Sequence, residues 1–243
     1  MFKSTRLILF LVVIFLAGCT ISIPNMESIT GSGNVVSQEV NISGFDMVDI
    51  SHAFEVDIGQ SDTFSVIVRV DDNLVEHLNV VRQGNTLKIG FKPGTAFAFR
   101  NATLEAIVTM PELTGLDLSG ASQATITSFK STESLNTDLS GASSLRGDIE
   151  AGDTMFDVSG SSNVTLTGSA GDVNIDASGS SEVDLAGFSV QDANVEASGA
   201  SRVTVNASGT LDVDASGAST IYYLGSPTMG KVDTSGSSSI KRK

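Results

Sequence analysis

One phrase recurs seven times in the second half of the chain. It reads Asp-Leu-Ser-Gly-Ala-Ser at 117–122 and 138–143, then Asp-Val-Ser-Gly-Ser-Ser at 157–162 and Asp-Ala-Ser-Gly-Ser-Ser at 176–181. It continues as Glu-Ala-Ser-Gly-Ala-Ser at 196–201, Asp-Ala-Ser-Gly-Ala-Ser at 214–219 and Asp-Thr-Ser-Gly-Ser-Ser at 233–238. The glycines Gly120, Gly141, Gly160, Gly179, Gly199, Gly217 and Gly236 are 21, 19, 19, 20, 18 and 19 residues apart. A fixed period of this kind means stacked structural units rather than a mixed globular core.

Each unit alternates with period two on both sides of its glycine. Ile175 and Ala177 share one face, with Asp176 and Ser178 on the other; Val183 and Leu185 then alternate with Glu182 and Asp184. Half-buried strands read this way. The period is too short for a propeller blade, carries no helical pattern and lacks the Leu/Asn consensus of leucine-rich repeats. The expected fold class is therefore all-β, a right-handed parallel β-helix of about 19-residue coils with a β-rich N-terminal cap. Equivalent residues should stack about 4.8 Å apart. One inward column would be Leu118, Leu139, Val158, Ala177, Ala197, Ala215 and Thr234. The other would be Ala124, Leu145, Val164, Val183, Val203, Ile221 and Ile240.

Residues 35–110 alternate too, without the repeat. Phe45–Ile50, Phe54–Ile58 and Phe64–Val70 are strand-like, and Gln83-Gly-Asn-Thr86 reads as a hairpin turn. Nine of the 12 Phe precede residue 100, three of them in the first 18 residues, so this part carries the larger core side chains. It is expected to cover the open end of the stack. The expected organisation is a signal segment at 1–18, a tether at 19–34, a cap at 35–110 and coils at 111–240. The last two form one continuous domain.

The N-terminus reads as an export signal. Lys3 and Arg6 precede the apolar run Leu7–Leu16, which has the length of a signal core and is short for a spanning helix. It ends in Leu16-Ala17-Gly18-Cys19, which resembles the lipobox of bacterial lipoproteins. Cleavage between Gly18 and Cys19 and lipidation of Cys19 are expected. A multiply acylated Cys19 would hold the chain at a membrane. The expected location is thus the cell envelope, at the outer membrane or cell surface.

Cys19 is the single cysteine, which excludes an internal disulfide or a multi-cysteine metal site. The chain carries 14 Lys+Arg against 28 Asp+Glu, a formal net charge of −14. Without residues 1–18, 12 cations face 28 anions. Nucleic acid is not an expected partner, because its phosphates need clustered cations.

These features together resemble the auto-transporter adhesin, head GIN domain family of exported bacterial proteins. The marks are Gly44-Phe45-Asp46 with Val48-Asp-Ile50, Val56-Asp-Ile58-Gly, Asp72-Asn-Leu74, Gly84-Asn-Thr-Leu87-Lys-Ile89, Met110-Pro-Glu-Leu113 and the Ser-Gly-Ala/Ser-Ser repeats. The resemblance runs from about Gly33 to Ile240. It implies a β-helical, envelope-exposed domain with an adhesive role and brings no catalytic residues with it.

The candidate surface residues are two columns. The acidic one is Asp117, Asp138, Asp157, Asp176, Glu196, Asp214 and Asp233. The hydroxyl one is Ser119, Ser140, Ser159, Ser178, Ser198, Ser216 and Ser235. Alternation points the acids outward, as a solvated face or as a ladder for Ca²⁺, which takes carboxylate oxygens. No other cofactor or metal is expected, and the calcium-binding nonapeptide and EF-hand loop are absent. The first hydroxyls could bond turn backbone or a glycan, as could a second column from Ser122 through Ser238. His52 and His77 read as surface or turn residues, and Arg146 and Arg202 stand alone. Ser238-x-x-Lys241 lacks any supporting motif. The function expected is non-catalytic binding of an envelope polysaccharide or surface protein. The alternatives are a polysaccharide lyase or hydrolase on the same coil, or an envelope-stress or structural module.

Overall fold

The computed structural model describes residues 27–93 and 97–243. The signal segment, Gly18 and Cys19 lie outside the described residues. Among those described, the chain is a β-solenoid of about six turns, with equivalent positions about 20 residues apart. Each turn gives one strand to each of two sheets that enclose the core.

The first sheet has ten strands, in the order Thr228–Thr234, Thr210–Ala215, Ala193–Ala197, Val173–Ala177, Thr154–Val158, Leu135–Leu139, Gly115–Leu118, Met47–Ile50, Thr86–Phe91 and Leu78–Gln83. The second has eleven: Val35–Glu39, Ser65–Asp71, Leu104–Met110, Glu55–Gln60, Gln123–Lys130, Ser144–Glu150, Asn163–Ser169, Glu182–Val190, Arg202–Ala207, Thr220–Gly225 and Ser239–Arg242. Pairing among the repeat strands is parallel throughout, as stacked coils require.

The register matches both expected inward columns. Leu118 pairs with Leu139, and so on through Val158, Ala177, Ala197 and Ala215 to Thr234. Ala124 likewise begins the column that ends at Ile240. Their side chains are buried except in the last turn, where nothing stacks beyond them. The first column shrinks from Leu to Ala along the stack, while its neighbour keeps bulk with Leu116, Phe156, Ile175, Val195 and Val213. Thr137 and Thr154 also point inward, and their hydroxyls are buried without a partner. Each such group typically costs about 1–3 kcal/mol against a satisfied or apolar one.

The stretch 35–110 does more than cover an end. Met47–Ile50 and Glu55–Gln60 form a coil of their own, in register with Gly115–Leu118 and Gln123–Lys130. Thr86–Phe91 and Leu104–Met110 stack in parallel on the other side of that coil. Leu78–Gln83 and Ser65–Asp71 pair antiparallel with them, and the chain then crosses to Gly115. That coil carried no visible repeat because Ser51-His52-Ala53-Phe54 replaces Ser-Gly-Ala-Ser. Phe54 fills the buried serine position and packs against Phe91, with ring centroids 5.6 Å apart. Phe91 stacks in turn on Phe99 at 4.6 Å.

The expected tether is shorter than 19–34. Glu27–Thr30 is a strand paired parallel with Phe97–Arg100. Beyond it, the buried Asp71 carboxylate accepts hydrogen bonds from the backbone N–H groups of Gly33 (2.6 Å) and Thr103 (2.7 Å). Asp72 takes the Ser32 hydroxyl and the Asn34 amide. Small polar composition suggested a linker, but here those residues saturate an acidic corner of the cap. No helix among the described residues is long and apolar enough to cross a membrane.

Candidate functional site

Strand alternation turns one residue in two outward, so each sheet presents columns on its outer face. On the first sheet the seven predicted acids do form one unbroken column. Asp117 pairs in register with Asp138, then Asp157, Asp176, Glu196, Asp214 and Asp233. All seven are exposed. The structure adds Asp49, in register with Asp117, and then Lys88, in register with Asp49. The row therefore begins with an ion pair, Lys88 Nζ to Asp49 Oδ2 at 2.7 Å. It ends with another, Lys231 Nζ to Asp233 Oδ2 at 3.0 Å.

Like charges one strand apart repel, and the pKa directions report it. Burial, then the neighbouring Asp49 and Asp138, push the Asp117 carboxyl above the usual carboxylate range, with Lys88 pulling the other way. Burial, then Asp157, do the same to Asp138. A raised folded-state pKa stabilises the fold below the ordinary carboxylate value, and this support is lost as pH rises through the shifted one. The charged pair is thus a cost at neutral pH. Asp117→Asn should raise the thermal midpoint at pH 7, and the gain should shrink as the pH falls towards 4. Melting curves of both proteins across that range check this.

A second outward column lies two residues earlier on each strand: Asn136, Met155, Asn174, Asn194 and Asp212. Asn194 donates to the Asn174 side-chain oxygen at 3.4 Å, and Met155 is 51% exposed. Neither this column nor Asp49 was predicted as part of a site. The signal was present in Asn136-x-Asp138, Asn174-x-Asp176 and Asn194-x-Glu196, since period two puts both residues of each pair on one face. Shallow depressions run between and beside the columns. One of about 340 Å³ is lined by Asp172, Asn174, Asp192, Asn194, Thr210 and Asp212. Others of about 220 and 230 Å³ flank Met155, and one of about 270 Å³ lies among Asp176, Glu196, Ser198, Asp214 and Ser216.

The two serine columns take different places. Ser119, Ser140, Ser159, Ser178, Ser198 and Ser216 are half-buried along the edge of the acidic face, and Ser235 is exposed. The second column is interior. Ser122, Ser143, Ser181, Ser201 and Ser219 are buried, and each hydroxyl donates to the carbonyl oxygen three residues back at 2.7–2.9 Å. These hydroxyls close the turn and face no ligand.

The second sheet presents no such row. Its outer face mixes Arg69 with Glu105 (2.7 Å), Lys130 with Glu150 (2.6 Å) and Arg202 with Glu182 (3.5 Å). Tyr222 lies outward on it under Lys243, while Tyr223 packs against the core. Ser238 donates to the carbonyls of Ser235 and Ala215, so its hydroxyl is not paired with Lys241. His52 sits in a left-handed turn with φ +65° beside Ser51, its pKa lowered by burial. Among the described residues, no three His, Cys, Asp or Glu side chains are grouped so as to hold a metal ion.

Fold and face together define a β-solenoid with one flat, repetitive, acidic surface. The family described as "Putative auto-transporter adhesin, head GIN domain" matches residues 44–227, and the chain belongs to it. Solved structures share the fold. A "putative adhesin" of Bacteroides fragilis NCTC 9343 is 20% identical with a TM-score of 0.75, covering 89% of this chain and 100% of its own. A "putative lipid binding protein" of Parabacteroides distasonis ATCC 8503 is 22% identical with a TM-score of 0.68, over 89% and 100%. A "putative adhesin" of Parabacteroides merdae ATCC 43184 is 16% identical with a TM-score of 0.67, over 89% and 99%. No curated protein sequence matches this chain.

Proposed function

We propose that this chain is an exported, non-catalytic binding protein. It would be held to the envelope by lipid on Cys19 and would grip an extended surface polymer or protein along the outer face of its first sheet. The observation that carries the reading is the continuous acidic row beside the Asn136–Asp212 column. The row presents a carboxylate at each strand, about 4.8 Å apart, and the column adds side-chain acceptors at every strand except that of Met155. Ionised carboxylates only accept hydrogen bonds, so the face suits a partner rich in amine, hydroxyl or amide donors. The family's description as an adhesin agrees with such a role. The acids line an open face rather than converging on an enclosed cleft, and this favours holding a chain over cutting it.

The test is retention on peptidoglycan and envelope polysaccharide fractions by the chain from Thr20 onward, with polymer length followed in parallel. We expect retention without shortening, falling at least about tenfold in an Asp157→Asn/Asp176→Asn double variant if each lost charge-assisted contact is worth about 1 kcal/mol. Shortening of the polymer would replace this reading with an enzyme. Repeating the assay with Ca²⁺ and with chelator tests whether the row acts through bridging calcium. In cells, Cys19→Ser should move the chain from the membrane to the soluble fraction; continued membrane retention would refute the lipid anchor.

A further inference from the structure

The two ends of the solenoid differ. At the N-terminal end, antiparallel strands close both sheets, with Leu78–Gln83 outermost in the first and Val35–Glu39 in the second. At the other end the first sheet stops at Thr228–Thr234, every residue of which is exposed. This strand carries the inward columns into solvent. Val232 is in register with buried Val213 yet is 43% exposed, and Met229, in register with buried Leu211, is 40% exposed. Ile240, the last residue of the other column, is only half-buried. The strand is irregular at Gly230–Lys231, where the Lys231 N–H donates to the Asp212 carboxylate, and regains its register at Val232. An edge strand with uncovered core residues is a template for pairing with another strand.

We propose that this edge joins two copies of the chain about a two-fold axis through Val232. Antiparallel pairing centred there sets Val232 against its own copy, and sets Lys231 of each chain opposite Asp233 of the other. Both side chains lie on the outer face, within 3.0 Å of each other in one chain, so the crossing exchanges one intrachain ion pair in each chain for two interchain pairs, equal in number and now spanning the contact. No other antiparallel register of this strand opposes unlike charges, because Lys231 and Asp233 are its only charged residues. The contact is self-complementary, as a two-fold interface must be. It also joins the two acidic rows end to end, doubling the length of the face. The inference stands on the strand alone and does not need the ligand reading to hold.

Sedimentation of the chain from Thr20 onward, which contains every described strand, tests it over a concentration series. The unaltered chain should form a dimer at the upper end. Lys231→Glu alone and Asp233→Lys alone each place like charges opposite one another and should weaken the dimer about tenfold or more. Mixing the two single variants should restore a heterodimer, since each then supplies the charge the other lacks. The double variant, with both substitutions, should dimerise on its own. A monomer at every concentration for the unaltered chain, single variants that dimerise as it does, or no recovery in either the mixture or the double variant would overturn the proposal. The recovery arms separate a lost interface from a lost fold.

Discussion

Gly179→Ala is expected to destabilise the fold by about 3 kcal/mol, whereas Gly120→Ala, in the same turn of another coil, should cost only about 1 kcal/mol. Both glycines have left-handed backbone, with φ of +73° and +77°, and an alanine pays a similar local penalty at either. What differs is the coil beneath. A Cβ on Gly179 would run into the backbone of Gly160, whose carbonyl oxygen accepts the N–H of Ser180 at 2.7 Å. That oxygen belongs to a ladder of turn-to-turn hydrogen bonds and cannot move aside without breaking it. A Cβ on Gly120 would meet nothing closer than the His52 nitrogen at 3.5 Å, an ordinary contact. The coil before Gly120 shows the same tolerance, since His52 and Ala53 hold positive φ without being glycine. Denaturant melts of the two variants measure the difference directly, and equal losses would show that φ alone decides.

The same glycines explain how much of the fold was legible. A solenoid needs a small residue wherever one turn stacks tightly on the last, so its architecture is written as a period. Period and alternation together located both inward columns and the acidic row residue by residue. The first coil escaped notice because its turn meets no tight neighbour on one side and uses Phe54 where later coils use serine. Its pairing with Gly115–Leu118 crosses an excursion of more than 50 residues, which no local pattern encodes. The tether ended sooner than expected for a related reason. Ser32, Gly33 and Asn34 look like linker residues until Asp71 and Asp72, about 40 positions away, supply their partners. At the candidate site, the acids declared themselves by repetition. The asparagine column did not, because Met155 and Asp212 interrupt it and because an outward Asn carries little meaning until the strands are in register.

Charge and core make opposite demands along this stack. Stacking identical acids costs repulsion on the outer face, which adds to burial in raising the Asp117 and Asp138 carboxyls. The structure offsets it with cations at the two ends and with apolar burial inside each turn. An outer face of one sign therefore depends on interior rows that hold the strands in register against their own surface charge.

Removing interior bulk from a central turn should consequently be among the most damaging changes available. Phe156→Ala is expected to cost about 3–5 kcal/mol, a large part of the about 5–15 kcal/mol that holds an ordinary domain together. Phe156 is fully buried on the first sheet, between Thr137 and Ile175 in register. Thr137 already brings an unpaired hydroxyl to that column, so the neighbourhood has no surplus contact to draw on. Collapse around the cavity is also restricted, since Asp157 beside Phe156 is held in the acidic row and the flanking strands are tied by parallel ladders on both sides. Each turn of a solenoid touches only its neighbours, so the loss should appear first next to the cavity. Hydrogen exchange should accelerate most in Leu135–Leu139, Thr154–Val158 and Val173–Ala177. Protection in the cap strands Ser65–Asp71 and Leu104–Met110 should change least. Val232→Ala, at the exposed edge, removes little buried surface from the single chain and should shift its stability by no more than about 0.5 kcal/mol. Uniform loss of protection from end to end in Phe156→Ala would mean instead that the cap and coils unfold as one cooperative unit.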